Sequence, residues 1–166
     1  MHREELIALA RATAQRWELD EVLICALIEQ ESGWNPWLNR YEPKFEFHEK
    51  YGLVVIREAR VFVAQAKFTV SFPTEVKNRC TSFGLMQVLG QVARERGFLG
   101  PIVELADPSC GLDYGCKQFV HNLLSTIKQL GAAGKIGSEQ QADLVTLIGH
   151  DNKRLDHLFR ERAAIL

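Results

Sequence analysis

The chain has almost no surplus of either charge. Its 20 lysines and arginines stand against 21 aspartates and glutamates, a formal net charge of -1. Such a balance gives no global field to hold nucleic acid or an anionic membrane. The local basic pairs, Lys153 with Arg154 and Arg160 with Arg162, read as solvated helix faces. Long apolar runs are also missing: nothing approaches the roughly 18 residues of a membrane span. The opening MHREELIALARATAQRW lacks the apolar core and small-residue cleavage site of a secretory leader. It reads instead as a first amphipathic helix, so synthesis in the cytoplasm without a signal peptide is expected. Four cysteines are present, Cys25, Cys80, Cys110 and Cys116, but no C-x-x-C pair. Cys116 and His121 would supply only two ligands, with no second pair at metal-site spacing. Cys25 lies in an apolar run and reads as a small core residue. A bridge among the other three cysteines stays open. Internal repeats, low-complexity tracts and linkers are absent too.

What is present is an ordinary globular balance, 46% hydrophobic and 25% charged in 166 residues. One domain spanning 1–166 is expected. The patterning is helical almost throughout. Leu6, Ile7, Leu9, Ala10, Ala14 and Trp17 roughly follow helical spacing. Asp20 is placed to cap a second helix, DEVLICALIEQES, which Gly33 would end before a turn at Asn35-Pro36. Residues 33–53 read as an ordered functional loop. A third helix is expected in VVIREARVFVAQAK, and a fourth in GLMQVLGQVARERG, capped by Ser82. A long helix follows from about Gly111 to Leu130. Ser138 with Gln141 resembles a capping box for the next, and a last helix starts near Asp151. Only KFTVSF at 67–72 could form a short strand. The predicted class is mainly α.

The end of the second helix carries the first chemical signal. Ile24, Leu27, Ile28 and Glu31 fall at i, i+3, i+4 and i+7 on one face. Glu31 thus continues an apolar stripe at the negative end of a helix. Burial and dipole would both disfavour its ionised form, as a general acid requires. The alternative is that the stripe turns to solvent in its last turn.

Glu31-Ser32-Gly33-Trp34-Asn35-Pro36 is followed about fifty residues later by Ser82-Phe83-Gly84-Leu85-Met86-Gln87-Val88. Together these resemble the soluble lytic transglycosylase family, whose fold and substrate are shared with goose-type lysozymes. The first string is similar to that family's E-S-G-x-N-P motif, the second to its G-L-M-Q motif. Between them Arg40-Tyr41-Glu42-Pro43-Lys44-Phe45 resembles a segment of phage-associated members. Asp107-Pro108 and Leu112-Asp113-Tyr114-Gly115-Cys116 resemble the helix that follows the groove motif. The resemblance covers roughly residues 5–130. The family's third motif, of A-Y-N-x-G type, has no counterpart in Ala142–Asn152 beyond Gly149. Tyr114, His150 and Asn152 are the candidates to stand in for its tyrosine.

The resemblance implies a lysozyme-like single domain with a glycan-binding groove lined by residues 31–42 and 82–89. It implies cleavage of the β-1,4 bond of peptidoglycan with Glu31 as catalytic acid and base. In the family's route the substrate's N-acetyl group is the nucleophile and a 1,6-anhydro sugar forms, so one carboxylate suffices. A hydrolase would need a second carboxylate. Glu42 is the first candidate for that role, with Glu46 and Glu49 behind it, against the alternative of an ion pair with Arg40 or Arg57. Ser32, Met86, Gln87 and Tyr114 are the expected substrate-binding residues. Gln87 would bond an acetamido group and Met86 would offer an apolar wall. Trp34, Trp37, Tyr41, Phe45 and Phe47 form an aromatic cluster, some available to sugars and most to packing. His48, His121 and His157 read as surface or satisfied residues. No cofactor and no metal are expected, and the expected partner is the glycan strand, met by a monomer. A phage-type lysin acting on the wall after release, or a virion component, fits the missing leader. Two other readings remain: a hydrolytic muramidase, and a non-catalytic peptidoglycan-binding or scaffold protein.

Overall fold

A computed structural model describes residues 1–147. In chain order its elements are α1 (Arg3–Arg16), α2 (Glu21–Ser32), β1 (Asn39–Tyr41), α3 (Pro43–Glu46), α4 (Glu49–Gln65) and α5 (Phe72–Arg79). There follow β2 (Thr81–Phe83), β3 (Val88–Leu89), α6 (Gly90–Glu95), a 3-10 turn (Ile102–Ala106), α7 (Pro108–Ala132) and α8 (Ser138–Leu147). The chain is mainly helical, as its patterning predicts. It divides into two compact units, Met1–Gln118 and a second that begins at Phe119 within α7.

In the first unit α1 buries Leu6, Ala10 and Ala14 and packs against α2. Asp20 caps α2 through a 2.7 Å bond from the Leu23 amide, and Gly33 closes it in the left-handed region at φ 56. The buried stripe of α2 consists of Ile24 and Ile28. Each contributes about 1.5–3 kcal/mol by leaving water. Asp113 on α7 ties back to α1, accepting from Arg16 at 3.1 Å and from the Trp17 indole at 3.3 Å.

The strands depart from the expectation. β1, β2 and β3 form one antiparallel sheet in that order, with Arg40 opposite Ser82 and Phe83 opposite Val88. The helix expected from Ser82 onward is shortened to α6, and Ser82 is a strand residue instead of a cap. The reason is local: Gly84 and Gln87 have φ of 75 and 46, which no helix admits. Residues 84–87 are therefore the turn of a hairpin. KFTVSF forms no strand; it runs irregularly into α5, whose first turn Ser71 caps at Thr74.

The described residues include two apolar clusters. Phe83, Val88, Ala93, Phe98, Ile102 and Leu105 form one. Val55, Ala59, Val76 and Cys80 form the other, beneath α4 and α5. Alongside them runs a buried ionic network. Glu75 accepts from Arg79 Nε and Arg94 Nε, both at 2.9 Å. Arg94 also donates to the carbonyls of Phe98 and Gly100, each at 2.7 Å, and lies 3.7 Å from the centre of the Phe62 ring. Every charge there has a partner, the condition for a buried ion cluster to persist.

In the second unit the end of α7 faces α8 so closely that a side chain on Gly131 would collide with Gln141. The α8 cap is shifted one residue from the expected box: the Gly137 amide donates to Gln140 at 3.0 Å. All four cysteines are free thiols, so the bridge left open by the sequence does not form. The helix expected near Asp151, the stand-ins His150 and Asn152, Gly149 and His157 lie outside the described residues.

Candidate functional site

The site is built on the C-terminal end of α2. Gly33 donates to the Glu29 carbonyl at 3.1 Å, and the Ser32 hydroxyl donates to the Ile28 carbonyl at 3.1 Å. Ser32 thus satisfies a backbone group at the helix end. Trp34 follows at φ 67, a costly conformation for a bulky residue. Its ring is buried, and its indole donates to Glu29, which also pairs with Arg3. Glu29 is thereby committed to structure. Glu31 is not: among the described residues it makes no hydrogen bond or ion pair. Its expected burial is not found. The stripe of Ile24 and Ile28 continues toward the half-buried Ser32, and Glu31 points out, exposed. The apolar face does turn to solvent in its last turn.

The next residues are braced by their neighbours. Asn35 donates its amide to the Ser32 carbonyl at 3.0 Å, and its side-chain oxygen accepts from the Trp37 amide at 3.0 Å. The Leu38 carbonyl accepts twice, from the Gly84 amide at 2.9 Å and from Gln87 Nε2 at 3.0 Å. Strand pairing of Asn39 with Phe83 continues the same seam. The segment that follows the first motif is therefore joined directly to the second, through the Leu38 carbonyl and the pairing of β1 with β2.

Beyond the seam stands Arg40. Its Nε donates to Glu42 Oε1 at 2.6 Å. The guanidinium is held above its ordinary value by that hydrogen bond first, then by the Glu42 charge, with a smaller contribution from Glu31. Glu42 is thus the direct partner of Arg40, and Glu31 adds only a minor electrostatic contribution. Arg40, and not Arg57, is the partner of Glu42. Sequence reasoning offered Arg40 only as that partner. Its reach to Glu31 needed the fold, although the i, i+2 spacing of Arg40 and Glu42 on an extended segment already put them on one face.

Glu46 is drawn away from this group. It accepts from the Tyr41 hydroxyl and lies 3.9 Å from Lys77 Nζ, which itself sits 3.0 Å from the Tyr41 ring centre. Glu49 is exposed in the first turn of α4. Glu42 and Ser82 border a concavity of about 420 Å³, completed by Lys44, Phe45, His48, Tyr51 and Leu89. A larger one, about 690 Å³, lies against α4 and α5 and includes neither Glu31 nor Glu42.

The expected groove residues are placed differently from one another. Gln87 is buried and donates to the carbonyls of Leu38 and Gly84, so its amide hydrogens secure the hairpin turn. Its Oε1 is buried without a hydrogen bond. Half-buried Met86 packs against the apolar cluster and against Gly115, where any side chain would collide with it. Tyr114 packs edge-on to Phe98 with ring centres 5.0 Å apart, and burial pushes its hydroxyl up to about 12. Trp37, one of the five aromatics in residues 34–47, is 72% exposed.

No group of three or more histidine, cysteine or acidic side chains converges on a metal-sized site among the described residues. No helix among them is long and apolar enough to cross a membrane. No family model, curated protein or solved structure matches the chain.

Proposed function

We propose that this chain adopts a lysozyme-like arrangement and cleaves the β-1,4 bond between N-acetylmuramic acid and N-acetylglucosamine in peptidoglycan, as a lytic transglycosylase. The observation that carries the reading is that the segment just after the first motif is tied to the second at the Leu38 carbonyl. Glu31, an exposed carboxylate in the last turn of α2, lies at the other end of that segment. Protonated Glu31 would donate to the leaving oxygen as the bond breaks through an oxocarbenium-like transition state. A glycan laid over Glu31 would strip water from it, and desolvation favours the neutral, donating form. The substrate's N-acetyl group would then attack the anomeric carbon. Glu31, now a base, would take the 6-hydroxyl proton as that oxygen attacks the anomeric carbon, breaks its bond to the acetamido oxygen and closes the 1,6-anhydro ring.

A hydrolytic muramidase is the second reading, favoured by one observation: Arg40 feels Glu31 and Glu42 together. Water activation needs a second carboxylate, and Glu42 would be the one to supply it. Against it, Glu42 already accepts from Arg40 at 2.6 Å. Mass spectrometry of sacculi digested by the wild-type protein separates the readings. Anhydro-muropeptides support the transglycosylase and reducing ends the hydrolase. Intact sacculi that retain the protein would leave only a binding role.

A further inference from the structure

We propose that Trp37 is a sugar-stacking platform, binding the apolar face of an N-acetylhexosamine ring next to the cleavage point. This rests on the glycan reading of the site above and adds a specificity-determining residue to it. Of the three tryptophans, Trp17 and Trp34 are 5% and 7% exposed, while Trp37 is 72% exposed. An exposed indole leaves a large apolar face in water at a cost in free energy.

An idle exposed ring would sit on a loose loop, but this one is held at both ends of its own residue. The Trp37 amide donates to Asn35 Oδ1 at 3.0 Å, and its carbonyl accepts from Asn39 Nδ2 at 3.4 Å. The next carbonyl, that of Leu38, is fixed twice to the hairpin turn. The backbone under the ring is therefore preorganised, and ordering it on binding costs little. Its surroundings indicate the occupant. Along the chain Asn35, Asn39 and Arg40 are exposed, with half-buried Pro36 and Leu38 between them, so the segment offers amides and a cation together with the ring. A protein partner would demand a contiguous apolar patch. A pyranose fits better: its axial C–H face stacks on an indole, and its hydroxyl and acetamido groups bond amides. Six residues separate Trp37 from Glu31, which keeps their Cα atoms within roughly 20 Å, the span of a few sugar units.

The test is fluorescence of the full chain titrated with chitotetraose, N-acetylglucosamine in β-1,4 linkage. Trp37 alone is open to acrylamide, so quenching in the free protein should come from it, and saturating sugar should remove most of that quenching. Trp37→Ala should weaken binding about tenfold, as expected when a stacked ring is lost, and Trp37→Tyr should restore much of it. Circular dichroism would establish that each variant folds. Unchanged affinity in folded Trp37→Ala, or quenching that sugar does not alter, would overturn the platform. Loss of self-association in Trp37→Ala without a change in sugar affinity would overturn it in favour of a second copy as occupant. Sacculus digestion by the wild type is read separately. A protein that digests sacculi while Trp37→Ala binds sugar normally keeps the proposed activity and loses the platform. One that binds sugar through Trp37 but digests nothing keeps the platform and loses the activity.

Discussion

Gln87 donates its side-chain amide to the carbonyl of Leu38 at 3.0 Å, across 49 residues of sequence. The same amide reaches the Gly84 carbonyl at 2.9 Å. One side chain therefore closes the hairpin turn and fastens it to the segment after α2. Gln87→Ala is expected to destabilise the protein by about 1–3 kcal/mol, the range for removing a buried bonded group. At φ 46 glycine is the easier replacement, so Gln87→Gly should be the less damaging of the two. Urea unfolding measures both. Wild-type stability with lost activity would return Gln87 to a groove-binding role.

Glu31→Gln should abolish lysis of purified sacculi while leaving the fold intact. The amide is nearly isosteric and cannot donate a carboxylic proton; general acid catalysis alone contributes about 10²–10⁴-fold. Because Glu31 is exposed and makes no hydrogen bond or ion pair among the described residues, its melting temperature should barely move. Near-normal lysis by the folded variant would sink the catalytic assignment.

Glu42→Gln decides between the two chemistries. For a transglycosylase the product stays an anhydro sugar and the rate changes modestly, since an exposed ion pair with Arg40 is worth only about 0–1 kcal/mol. For a hydrolase the variant is folded and dead. Reducing-end products from the wild type with a dead Glu42→Gln would establish the hydrolase.

Glu75→Gln should be far more damaging than either, though it touches no candidate catalytic group. Glu75 is buried between Arg79 and Arg94, themselves buried. Removing its charge leaves Arg94 without a carboxylate among the described residues and Arg79 with only its 3.3 Å pair to Glu58, at a cost of about 3–5 kcal/mol. Urea unfolding, which adds no screening ions, reads this directly. A loss under 1 kcal/mol would mean that the network tolerates an uncompensated charge.

Burial pushes the Cys80 thiol up to about 11 and the Cys116 thiol up to about 12, from an ordinary value of 9.0. The folded state then holds these protons more tightly than the unfolded chain. Their stabilising contribution is complete below pH 9 and is lost as pH rises toward 11–12. Denaturant midpoints should fall across that window. At pH 8 a thiol reagent should modify half-buried Cys25 and Cys110 quickly, and Cys80 and Cys116 only on unfolding. Four equal rates in the native protein would contradict this.

The helices were legible because their signals are local. Asp20 and Gly33 bound α2 as their chemistry dictates, and α7 runs close to its expected span. The sheet was not legible. Its strands are three, three and two residues long, too short for alternation to register, and GLMQVL has the composition of a helix. What makes it a hairpin is the pair of positive φ angles at Gly84 and Gln87, one of them at a residue that gives no warning. At the site, the sequence singled out Glu31 and offered Arg40 or Arg57 as an ion-pair partner for Glu42. It overestimated the burial of Glu31, because one helical turn decides whether position i+7 follows Ile24 inward. The bracing of Trp37 and the double use of the Leu38 carbonyl depend on long-range contacts that no local pattern encodes.

The carbonyl of Leu105 is approached so closely from two sides that a β-carbon on either Gly84 or Gly111 would strike it. Gly84, at φ 75, excludes larger residues a second time. A deep mutational scan read out by lysis would therefore mark both glycines as intolerant, as absolutely as Glu31. Their intolerance would concern the seating of the hairpin, for Gly84, and of the first turn of α7, for Gly111, on the 3-10 turn, and not the sugar. Lysis scores alone would merge two kinds of essential residue, and pairing them with soluble abundance of each variant would part them: glycine variants should vanish from the soluble pool, and Glu31 variants should remain in it.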